Sequence, residues 1–262
     1  MSDLNRNTYA YGSGVARAGT AELDQGLRAF MLGVYNNMVL GLAITGLAAL
    51  GTYMAAVTTD PAAAAGQFSN GLMLTSVGVA LFSSPLKWVV IFAPLALVFF
   101  LSFRIASLQP ATARLMFFVY AALVGLSLSS IFLVYTHASI TRVFFITAAT
   151  FGALSLYGYT TKRNLSAMGS FLIMGLFGVI IASLVNLFLA STALQFAISV
   201  AGVLVFAGLT AWDTQRIKEM YYEMDDSASA ARKSVLGALM LYLDFINMFV
   251  MLMQLFGQQR SS

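Results

Sequence analysis

The sequence predicts an all-α integral membrane protein with seven transmembrane helices. Three observations carry that reading. Of the 262 residues, 60% are hydrophobic and 9% are charged, whereas a soluble domain carries about a quarter charged residues; there is too little charge to cover a wetted surface. Seven continuous apolar runs reach the roughly 20 residues that a helix needs to cross a bilayer. Lys and Arg are also distributed unevenly between alternate loops. With the N-terminus inside, ten fall in inner segments and three in outer ones, the bias of cytoplasmic loops.

The elements follow in order. Residues 1–28 are polar, lack the apolar core of a secretory signal, and read as a cytoplasmic tail with an amphipathic stretch over 21–28. The first span covers 30–57, where Gly41, Gly46 and Gly51 are expected to admit close helix contact. Residues 58–86 form the longest loop, on the outer side. Within it "GLMLTSVGVALF", 71–82, is too short to span and reads as an interfacial or re-entrant helix. Spans over 87–107, 113–135, 142–161, 168–190, 194–217 and 233–256 follow, joined by short loops. Backbone groups cannot go unpaired in lipid, so each span is a helix. The chain thus divides into the 1–28 tail, one transmembrane domain over 29–257, and a short C-terminal tail, 258–262, on the outer side.

Composition excludes several chemistries. Cysteine is absent and His137 is the single histidine, so disulfides, thiolate sites and a His-rich metal site are ruled out. No contiguous basic face suits a nucleic acid. The 14 methionines read as packing for an irregular interior, and His137 reads as a solvated loop residue.

Apart from charges at the very ends of the spans, three ionisable residues fall within them: Arg104, Asp213 and Asp244. Such residues usually face the bundle interior or a water-filled cavity. Arg104 and Asp213 each lie near the inner end of a span, where snorkelling or solvation is the plainer account. Asp244 is different. It stands roughly ten residues beyond Lys233, about 15 Å along the helix, too deep to reach water. It needs a partner, a proton or water. Chain direction brings all three charges to the inner half of the membrane, where two neighbouring carboxylates cannot both ionise cheaply and can share a proton. Arg104 beside them would make a pH-sensitive latch. Asn247, three residues after Asp244 on the same helix face, either orients it or serves as interhelical polar glue, and Asn186 is another candidate for hydrogen bonding within the bundle.

The runs "LTAWDTQRIKEMY" (209–221) and "GALMLYLDFINMFVMLMQLFG" (237–257), with "VYNNMVLGLAITG" (34–46), resemble the Bax inhibitor-1 family of membrane proteins and its bacterial YccA-like members. The resemblance extends over about 28–257. It implies six helices surrounding a central seventh, in a bacterial cytoplasmic (inner) membrane protein. It also implies a pH-sensitive calcium leak gated by Asp213 and Asp244, with Arg104 as the latching arginine. The aspartates would form a weak or transient calcium site, with calcium the permeant ion and no bound cofactor. Trp212 departs from the tyrosine common before the first aspartate.

No enzymatic activity is expected. An intramembrane aspartyl protease also sets one aspartate on each of two spans, but its signature pairs Tyr-Asp with Gly-x-Gly-Asp, and here the pairs are Trp-Asp and Leu-Asp. The other competing reading, from the YccA-like resemblance, is a non-catalytic regulator that binds a membrane quality-control protease through the 1–28 tail. The expected partners are therefore the lipid bilayer, calcium or other cations, and such a protease.

Overall fold

The computed structural model describes residues 6–68 and 71–260. In chain order the helices are α1 (Arg6–Ala56), α2 (Ser76–Phe82), α3 (Leu86–Arg104), α4 (Pro110–Leu128), α5 (Ile131–Val134), α6 (His137–Thr160), α7 (Ser166–Leu189), α8 (Thr192–Glu219) and α9 (Ser227–Phe256). Seven of the helical segments are long and apolar enough to cross a membrane, with α4 and α5 forming one span. Each expected span has its helix, with ends displaced by a few residues.

Local chemistry sets those ends. Thr136, Ser191 and Asp226 precede α6, α8 and α9, and their side-chain oxygens accept from the backbone N–H groups of Ser139, Leu194 and Ser229, satisfying donors that a helix start leaves unpaired. α4 opens on Pro110, whose missing N–H costs nothing at a first turn. α7 ends at Ala190, which adopts a left-handed conformation with φ of 48°. Between α4 and α5 the Ser129 and Ser130 hydroxyls donate back to the Leu126 and Ser127 carbonyls, a pattern that bends helices.

α1 begins far earlier than its apolar portion, which opens at Gln25. The stretch expected as a tail is therefore helical from Arg6 onward; residues 1–5 of it lie outside the described residues. The short helix expected within 71–82 is α2, capped by Thr75. It follows an antiparallel sheet of two-residue strands, β1 (Val57–Thr58), β2 (Gly66–Gln67) and β3 (Met73–Leu74), in the order β1-β3-β2. Leu74 pairs with both Val57 and Gly66. This sheet marks one end of the bundle. The other end carries Arg28, Lys162, Arg163, Lys218 and Lys233 and is called the basic end below.

α9 is the core. Leu239, Leu241, Tyr242, Met248 and Met253 are almost inaccessible, and the helix packs against α1, α4, α6 and α8. A helix that is apolar all round belongs inside. α3 lies on α4 and α7 on α8, completing six helices around a seventh. The Tyr242 hydroxyl is 2.6 Å from Thr45 Oγ1, which itself reaches the Ala121 carbonyl at 2.9 Å, so α9, α1 and α4 are tied at one level. Gly41 is needed there because a Cβ would press into Phe117. Gly46 and Gly51 face open space, so the close contact expected of them is not made. Met31 and Met38 of α1 are buried in the core along with Met248 and Met253 of α9.

At the sheet end the chain after α9 is fastened to the turn before α6. Thr136 N donates to Gln258 O at 2.9 Å, Arg260 N to Val134 O at 2.9 Å, and Arg260 Nε to Tyr135 O at 3.1 Å. The Arg260 guanidinium lies over the Tyr53 ring. His137 is exposed but not free in a loop: it opens α6, and its ring packs edge-on to Tyr53. Of the expected 258–262 tail, residues 261 and 262 lie outside the described residues.

Candidate functional site

The last third of α8 is held on several sides before its aspartate is considered. Toward α6, Thr214 Oγ1 is 2.9 Å from Ser155 Oγ, which is 2.7 Å from the Tyr35 hydroxyl of α1. Gln215 bridges to the α6–α7 turn, accepting from Leu165 N at 2.8 Å and donating to Arg163 O at 2.9 Å. Lys218 donates to Tyr159 O at 3.0 Å. Closer still, Gly158 of α6 lies against the Ala211 carbonyl, where any Cβ would collide. These contacts fix the rotation of α8, and that rotation turns Asp213 toward α9.

There it meets Asp244. The two carboxyl groups are direct side-chain partners across the α8–α9 contact. Both residues are more than nine-tenths buried, at 8% and 4% exposure. Asp213 Oδ1 and Asp244 Oδ2 are buried with no hydrogen-bond donor. Two fully ionised carboxylates have no hydrogen to place between them. A proton held by the pair converts the contact into a hydrogen bond, and without it two buried like charges would stand together at a cost on the order of several kcal/mol each.

The positive charge that acts on Asp213 is Arg216, one turn beyond it on α8. Its guanidinium lies over the Trp212 ring, 5.4 Å from the centroid. Arg104 is not brought to the aspartates. It is exposed at the end of α3, and among the described residues the one ion pair is Lys233 with Asp225. Of the three residues expected to form a latch, the two acids are together and a different arginine stands beside them. The spacing of Arg216, three residues after Asp213, is the sequence signal for it. Asn247 donates to the Leu243 carbonyl at 2.8 Å, a bond within its own helix rather than to Asp244. Asn186 does join the bundle: it donates to Gln195 Oε1 at 3.0 Å, and Gln195 in turn donates to Gln254 of α9 at 2.7 Å.

The acid pair forms part of the wall of a cavity of about 690 Å³. Trp212, Asp213 and Arg216 enter it from α8, Asp244 and Asn247 from α9, and the rest of its lining is chiefly apolar side chains of α7 and Leu95 of α3. Among the described residues no cluster of three or more His, Cys, Asp or Glu is present. Calcium takes six to eight oxygens, more than one carboxylate pair supplies, so these residues do not form a closed calcium cage.

Residues 27–261 match the family model described as "Inhibitor of apoptosis-promoting Bax1". The chain is 45% identical over 237 residues to the inner membrane protein YbhL of Escherichia coli, covering 90% of this chain and 94% of YbhL. It is 47% identical to the Rickettsia prowazekii protein RP147, covering 90% of this chain and 92% of that one. A Caulobacter vibrioides protein is 45% identical over 99% of this chain and its own full length.

Proposed function

Because the chain belongs to the Bax inhibitor-1 family, we propose that it is a non-catalytic, pH-sensitive cation leak whose gate is the contact between Asp213 and Asp244, with calcium as the permeant ion. The observation that carries this reading is the meeting of two buried carboxyl groups from two membrane-length helices in the wall of a cavity. With one proton between them, the carboxylic acid donates to the carboxylate, and the charge-assisted bond links α8 to α9. A second proton exchanges that bond for a neutral one, roughly half as strong, and removes the charge that Arg216 attracts. Acidification therefore loosens the α8–α9 contact and raises leak. Calcium meets the carboxylates in transit, at a weak site.

The protein functions in the bacterial inner membrane, the location that YbhL's name gives for that relative. The basic end of the bundle faces the cytoplasm, an orientation supported by the ten of 14 Lys and Arg residues that then fall in inner segments.

The test is calcium flux into liposomes that hold the purified protein, followed across pH for the wild type, Asp213→Asn and Asp244→Asn. The wild type should leak more as pH falls, and both variants should lose most of that dependence. Identical pH profiles for all three would make the pair structural and would favour the protease-regulator reading.

A further inference from the structure

We propose that the acid-pair cavity binds a lipophilic organic monocation that enters sideways from the bilayer, between α3 and α7. This goes beyond ion permeation: it makes the cavity a ligand site.

The shape comes first. At about 690 Å³, the cavity falls within the roughly 300–1,000 Å³ of pockets that hold drug-sized molecules. It is bounded by Leu95 on α3 and by Ile180, Leu184 and Leu187 on α7, and all four side chains are exposed. In a membrane-spanning bundle those exposed apolar side chains face lipid. α3 packs on α2 and α4, and α7 on α8; the cavity lies where those two pairs stand apart.

The chemistry of the wall selects the ligand. Apolar surface dominates, and Asp213 Oδ1 and Asp244 Oδ2 are buried without donors. The other polar side chains in the wall are partly committed: Ser183 donates to the Val179 carbonyl and Asn247 to the Leu243 carbonyl. A hydrated divalent ion would find too few oxygens and much apolar surface. A single positive charge carried inside an apolar shell satisfies both parts of this wall. The shell covers the leucines and isoleucines, and the charge sits against the carboxylates.

Charge balance fixes the stoichiometry. The charged groups lining the cavity are Asp213 and Arg216 from α8 and Asp244 from α9; the lining residues of α3 and α7 carry none. Tyr35 and Lys218 bond toward α6 through Ser155 and the Tyr159 carbonyl, and Arg104 is exposed at the end of α3; none of the three lines the cavity. With one shared proton, the two acids and Arg216 sum to zero. Replacing that proton by one monovalent cation leaves the sum unchanged, so no net charge is added to a low-dielectric site. Proton and ligand exchange one for one.

The experiment uses the purified full-length protein in detergent and tritiated tetraphenylphosphonium as the probe, with equilibrium binding measured from mildly acidic to mildly alkaline pH. One saturable site per chain is expected, with the apparent Kd weakening by up to about tenfold for each unit that pH falls. Asp213→Asn and Asp244→Asn, near-isosteric changes, should each weaken binding at least about tenfold. Leu184→Trp, at the exposed rim where folding is not at stake, should weaken it by filling the entrance. Absence of saturable binding to the wild type overturns the proposal. So does binding that both asparagine variants retain unchanged, which would mean partition into detergent. Calcium flux is read separately in liposomes: flux without probe binding refutes this inference alone, and probe binding without flux refutes the leak alone.

Discussion

The indole of Trp212 lies against the backbone of Gly169, in the space a side chain at that position would need. The two residues come from α8 and α7, and the contact sets the wall of the cavity one residue before Asp213. It also accounts for a tryptophan at this position, because a ring of that size needs a neighbour with no side chain.

Gly169→Ala should therefore push Trp212 out of its bed. Overpacking of this kind costs about 1–3 kcal/mol. In a Trp88→Phe background, where Trp212 is the only remaining tryptophan of the two, the emission should shift and the thermal midpoint should fall. An unchanged spectrum and midpoint would show that the contact is loose.

The acid pair should behave as a unit. In Asp213→Asn the new amide can donate to Asp244, and the converse holds for Asp244→Asn, so each single variant keeps a bond across α8 and α9. The double variant joins two amides and keeps no charge. The effects of the two single changes on thermal stability should therefore fail to add, with an interaction energy of about 0.5–3 kcal/mol. Additive effects would mean that the two side chains do not sense each other.

The two arginines give a sharp contrast. Arg216→Ala removes the positive charge that acts on Asp213 and should move the midpoint of the pH–leak curve. Arg104→Ala alters an exposed residue outside the cavity and should leave the curve in place. Liposome flux measured side by side decides it; a shift with Arg104→Ala and none with Arg216→Ala would reverse the assignment.

Topology follows from the Lys and Arg distribution. Reporter fusions in the 220–226 turn should be cytoplasmic, and fusions after Gly257 should lie on the outer side. A cytoplasmic signal after Gly257 would require an even number of crossings.

Hydropathy made the seven spans legible because each needs only length and apolar content. The aspartates were legible for a different reason: at its depth, Asp244 has no route to water and must find a partner. The misses have physical causes. Strands of two residues, such as Met73–Leu74, carry no periodicity. The first part of α1 is mostly polar and rich in small residues, with too few apolar ones in sequence to announce so long a helix. Gly46 and Gly51 look like Gly41 in sequence, yet only Gly41 faces a ring, that of Phe117. Arg104 was paired with the aspartates by depth and by its position in the family resemblance, and neither says which way a side chain turns around its helix.

The fastening of Gln258 and Arg260 to the turn at Val134–Thr136 makes α9 a rod hinged at its sheet end. Asp244 stands about 18 Å from Phe256 along that rod at 1.5 Å per residue. Swinging the rod by about 5° moves Asp244 by about 1.5 Å at that radius, enough to part a hydrogen bond. The lever arm turns a small tilt into a broken contact, so a gate at this contact, as proposed, would need no large rearrangement of the six helices around it.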